Sequence, residues 1–267
     1  MERDEWTKHA VEQWPWLFGL AGRFTAEAYQ LLAGTEIGQR DARGAMRALL
    51  FGRIISGTEA LVVLARSGFL TEADVIFRSN LEALFRLAAL FEDEAIFLAY
   101  LGEDYPRRRK AMHDIRQLLA GMDPRPHGAI SEDDLDAAIR EIDQQSQEFR
   151  ARHGLERLRE VSTWDWVVAG KQYDFFHGKY LMHSNSAHHA ARDLERRIVP
   201  RADGNGIETI SLGIDDGPPV PIVLDSLLLL VRGIAVFCQS FGLVVPEALL
   251  NARVELNERY SSEFQAA

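Results

Sequence analysis

The chain has 267 residues, 47% of them hydrophobic and 26% charged, with a formal net charge of −10. That apolar share sustains a packed core and excludes disordered and fibrous architectures. The acidic balance argues against a protein that coats DNA, which needs a basic surface, and the single cysteine, Cys238, excludes a disulfide framework and a Cys-rich zinc site. The first predicted helix covers residues 4–33, with a kink at Trp14-Pro15-Trp16 where proline removes a backbone donor. A second runs from Asp41 to Arg66, with Met46, Leu49, Leu50, Ile54, Leu61 and Leu64 at helical spacing, and Ser67-Gly68 ends it. Thr71-Glu72-Ala73-Asp74 starts a third helix with a capping hydroxyl and acids in its first turn, reaching Phe91. It is apolar on most faces and is expected to be central. Asp93 opens a fourth helix, bent or broken at Pro106 and ending near Gly121, and residues 122–128 read as a loop.

Ser131 caps a polar helix through Arg152, whose weak apolar stripe suits a peripheral element or an arm used for pairing. Ser162-Thr163 begins a helix carrying Trp164, Trp166, Tyr173 and Phe176, and another spans 181–197. Gly and Pro concentrate in 200–219, with a short hairpin around Glu208–Leu212, and two last helices occupy 222–242 and 246–264. The stretch Val220 to Val245 is interrupted by Pro221, Asp225 and Arg232, so it reads as a core helix and not as a membrane span. The opening residues combine no basic start with an apolar run, and a soluble, cytoplasmic protein is expected. Almost no segment alternates with strand period, and neither a repeat nor a linker-like shift divides the chain. The expectation is all-α: one domain over 1–267, a bundle of about seven to nine helices.

Familiar catalytic signatures are missing. There is no phosphate loop, no dinucleotide fingerprint, no paired Glu-x-x-His and no His-Glu-x-x-His, so no cofactor and no metal are expected. Cys238 lies in an apolar run that disfavours a thiolate. The one basic run, Arg107 to Lys110, reads as a solvated helix face or a local phosphate contact.

Two segments carry polar residues that need an explanation. On the third helix Arg78, Glu82 and Arg86 stand four apart and form a ladder on one face, which Glu59 of the preceding helix could join. Buried charges persist only when paired, so the ladder is either a structural ion-pair network or a catalytic or ligand-binding cluster. If it is structural, Arg78→Ala should cost about 3–5 kcal/mol by stranding Glu82. In the second segment His177, His183, His188 and His189 fall within residues 177–189, four of the eight histidines. His183 and His188 are awkwardly spaced for chelation, and His189 with Asp193 is too little for a metal site. Histidine titrates near neutrality, which makes His183 a candidate general acid or base.

At these segments the chain resembles the helical family catalogued as domain of unknown function 5677, over residues 40–200. Gly68, Glu72-Ala73, Arg78 and Glu82 fit its first motif, and Tyr173 and His183 its second, although Lys179 stands where a small polar residue is expected. The resemblance implies a bacterial all-helical protein, with relatives that look like HEPN-type domains of anti-phage defence or toxin systems. Two readings follow. The first is a non-enzymatic regulatory or interaction module of a defence or stress system, a homo-oligomer or bound to a partner protein. The alternative is a metal-independent ribonuclease or phosphodiesterase, with RNA as substrate. In it His183 is the general acid/base, Arg78 steadies phosphate charge and Glu82 orients Arg78, with Glu59, Glu72, Tyr173 and Lys179 as candidate binding residues.

Overall fold

The computed structural model describes residues 3–122, 130–158, 160–183, 198–203, 205–210, 214–215 and 217–265. The expected loop at 123–128, the turn Ser184–Ser186, His188, His189, Asp193 and the rest of the helix beyond His183 lie outside the described residues. The fold is all-α with one two-stranded sheet.

The first predicted helix is two, α1 (Arg3–Gln13) and α2 (Pro15–Ala33), because Pro15 sits at the first position of α2, where its missing donor costs no hydrogen bond. α3 (Ala42–Arg66) starts at Asp41, whose carboxylate accepts from Gly44 N–H at 2.7 Å, and stops at Gly68 with φ +80°. α4 spans Leu70–Glu92. Its expected cap, Thr71, lies inside the helix instead. The N-terminus is satisfied from across the chain, as Asp215 Oδ2 accepts from Leu70 N–H at 2.9 Å and Thr71 N–H at 3.1 Å.

α5 (Glu94–Gly102) and α6 (Asp104–Ala120) are separated at Glu103, not at Pro106, which fits in the first turn of α6. The buried Glu103 carboxylate accepts from Val161 N–H at 3.2 Å and pairs with Arg107 at 3.3 Å. α7 (Glu132–His153) packs along α6 and buries Leu135, Ile139 and Ile142, so its apolar stripe is used within the chain. The basic run of α6 is answered by acids: Arg108 by Asp104, Arg109 by Asp143, and further on Arg116 by Glu132 and Asp136.

The helix expected to run from Ser162 through Phe176 is broken. α8 (Thr163–Ala169) ends at Gly170, and Lys171 takes a left-handed φ of 54°. α9 (Tyr173–Phe175) then widens into a π-helical turn over Phe176–Tyr180, and helical backbone continues through His183. Strands β1 (Ile198–Pro200) and β2 (Ile207–Ile210) pair antiparallel, Ile198 opposite Ile210. α10 (Val220–Phe241) and α11 (Glu247–Gln265) complete the chain.

One core cluster draws on α2, α3, α4, α8, α10 and α11, with Phe51 and Phe237 stacked at 4.3 Å. α4 is central, as its composition implies, and α10 shares that place. α3 and α10 are long and apolar enough to cross a membrane, but most of α10 is buried against neighbouring helices, which is the ordinary reason for such a composition.

Candidate functional site

α4 turns one side toward the α9–π segment, and the polar positions on that side are Asp74, Arg78, Glu82 and Arg86, each four residues after the last. Facing them, the π turn presents Tyr180 and, one turn later, His183. Arg78 Nη2 donates to Tyr180 Oη at 2.9 Å, and Tyr180 O–H donates to Glu82 Oε1 at 3.2 Å. Glu82 pairs with Arg78 at 3.6 Å and with Arg86 at 3.4 Å. Arg78 also lies over the Tyr180 ring, 5.1 Å from its centroid, and Arg86 over Trp166 at 5.8 Å. All three ladder side chains are half-buried.

His183 is the second node. Its Nδ1 lies 2.9 Å from Asp74 Oδ1, its Nε2 lies 3.9 Å from Asp225 Oδ2, and Phe77 packs edge-on to its ring at 4.6 Å. Burial is the largest influence and works against the charged ring, but the carboxylates of Asp225 and Asp74 together outweigh it and raise the pKa from 6.5 to about 9. The ring is therefore an imidazolium at neutral pH. Asp225, buried on α10, receives Lys179 Nζ on both oxygens at 2.7 Å. Burial opposes the Lys179 charge, and Asp225 with Tyr260 reverses that and raises its pKa. The result is an alternating row of charges, Lys179, Asp225, His183, Asp74, that closes α4, the π segment and α10 together.

Of the sequence candidates, Arg78, Glu82, His183 and Lys179 meet in this region. Glu59 does not join the ladder: it is exposed on α3 and accepts from Tyr29 O–H at 3.0 Å. Glu72 is exposed in the first turn of α4, two residues before Asp74 and so on a different face from the ladder. Tyr173 is exposed and packs on Trp164 at 5.9 Å. Sequence reasoning missed Asp74, although it continues the four-residue spacing of the ladder, Tyr180, and Asp225, whose signal is a lone acid in an apolar helix. Among the described residues no group of three or more His, Cys, Asp or Glu side chains is placed to hold a metal. In the Asp74–His183–Asp225 row each ring nitrogen faces its own carboxylate, so the three do not converge on one point.

Residues 45–206 match the Family of unknown function (DUF5677). The chain belongs to that family. No curated protein and no solved structure matches it. The DUF5677 span holds Asp74, Arg78, Glu82, Lys179, Tyr180 and His183, and it ends before α10, so Asp225 reaches this cluster from outside the family match.

Proposed function

We propose that this DUF5677 chain is a non-enzymatic interaction module, in which the polar cluster is structural. The observation that carries the reading is His183: both ring nitrogens face carboxylates, and the ring is charged at neutral pH. A general base needs a free lone pair near the working pH, and a group with a pKa of about 9 is a weak acid there. Arg78 is likewise engaged by Tyr180 and Glu82 rather than presented to a substrate phosphate. Contact with another chain, a second copy or a partner protein, is favoured by Ile198, Val199, Ile207 and Ile210, four exposed apolar side chains on the β1–β2 hairpin. A setting in a bacterial defence or stress system rests on the family resemblance.

The metal-independent nuclease is kept as a second reading by one observation, the gathering of Arg78, Glu82, Tyr180 and His183 on facing elements. In it the imidazolium of His183 is the general acid, and RNA is the substrate. The deciding experiment incubates wild type and His183→Gln with total RNA and chelator and melts each alongside. Intact RNA in both, with a lowered Tm in the variant, is expected. Fragmentation by wild type alone, at equal Tm, overturns the interaction reading.

A further inference from the structure

Beside the charge row, with no α4 residue in its lining, lies a cavity of about 400 Å³ between the α9–π segment, α10 and α11. Its volume is within the roughly 300–1,000 Å³ of ordinary small-ligand sites. Two kinds of wall meet in it. Phe175, Leu228, Val231 and Ala235 supply an apolar side, and Arg232 and Arg253 supply cationic groups on neighbouring helices. Asp174 and Asp225 line it too, so Arg232, Arg253 and Lys179 leave the lining only slightly cationic, in a chain of net charge −10.

The arginines are not spent on protein carboxylates. Arg232 Nε donates to Gln172 Oε1 at 3.0 Å, and Gln172 is itself buried and donates its Nε2–H to Gly170 O at 2.6 Å. That anchor steadies the guanidinium by its inner nitrogen. Its two terminal nitrogens have no protein partner among the described residues, which leaves the pair that binds a carboxylate in fork geometry. Arg253 has no ion-pair or hydrogen-bond partner among the described residues either. Lys179, by contrast, is held by Asp225 on both oxygens, so the charge available to a guest comes from the arginines.

We infer that this cavity binds a small organic carboxylate with an apolar body, its anionic head between Arg232 and Arg253 and its hydrocarbon against Phe175, Leu228, Val231 and Ala235. The site goes beyond the interaction reading and does not depend on it. Because Lys179 and Asp225 line the same cavity, occupancy bears directly on the charge row that fastens the π segment to α10.

The test is calorimetric titration of the full chain with octanoate and with 3-phenylpropanoate, and with octanol and inorganic phosphate as the apolar-only and head-only probes. Saturable one-to-one binding of at least one carboxylate is expected, with octanol and phosphate each at least about tenfold weaker, the loss expected when one charge-assisted contact or the buried body is removed. Arg232→Met and Arg253→Met should each weaken binding at least about tenfold. Ala235→Trp, at an exposed wall position, should abolish binding at unchanged Tm by filling the cavity. Absence of saturable binding by both carboxylates overturns the inference. So does carboxylate binding that survives both Arg232→Met and Ala235→Trp, or phosphate binding as tight as the carboxylates.

Discussion

His183 holds its proton through neutrality because Asp74 and Asp225 face its two ring nitrogens, and a charge held this way is part of folding stability. Its pKa is raised on folding, from 6.5 to about 9, so the stabilisation is complete below pH 6.5 and is lost as pH rises through 9. The full effect is on the order of 3 kcal/mol. Urea titrations of wild type should show stability falling across that window, whereas His183→Gln should lack this fall; parallel curves would remove the imidazolium from the account. Asp225→Asn takes an anion from two cations at once and should cost roughly 3 kcal/mol in the same assay. Arg78→Ala is milder than the ladder spacing alone implies. Glu82 keeps Arg86 and Tyr180, so about 1–2 kcal/mol is expected, not the loss of a buried charge's sole partner. At this scale the sequence showed the residue types and the four-residue spacing on α4. It could not show Asp225 or Tyr180 as partners, since both contacts form between elements far apart in the chain.

Elements meet where side chains are missing. Gly57 of α3 lies against Asn80 of α4, and a Cβ on it would come within 2.0 Å of Asn80 Oδ1. Asn80 is fully buried, so it has little room to yield, and Gly57→Ala should cost about 1–3 kcal/mol by thermal or urea unfolding. Gly170 plays the same part for α8, where a Cβ would meet the Ala89 backbone nitrogen at 2.8 Å. Helix ends show how far local rules reach. Asp41 and Ser131 cap their own helices as their positions imply, because the cap and the freed N–H groups are three residues apart. α4 departs from this, since its N-terminus is closed by Asp215, 145 residues from Leu70. Asp215→Ala should therefore destabilise α4 by about 1 kcal/mol, a cost that local sequence around Thr71 does not contain.

Across the whole molecule the family match and the packed core cover different residues. The match covers residues 45–206, yet α10 lies outside it and packs against α2, α3, α4 and α11, burying most of its length. A fragment of residues 45–206 would expose the faces of α3 and α4 that α10 covers. It should show helical far-UV dichroism without a cooperative melt, and a cooperative melt of that fragment would show that α10 is dispensable. The sequence by itself determined the helical class, the long helices α3, α4, α10 and α11, and the ladder, because periodicity and caps act over a few residues. Only the tertiary structure decided where helices break at Glu103 and Gly170, that Glu59 stands apart, and that a charge row and a cavity form at α10. Those outcomes depend on which faces pack together, and packing joins positions whose separation in the chain leaves no local pattern.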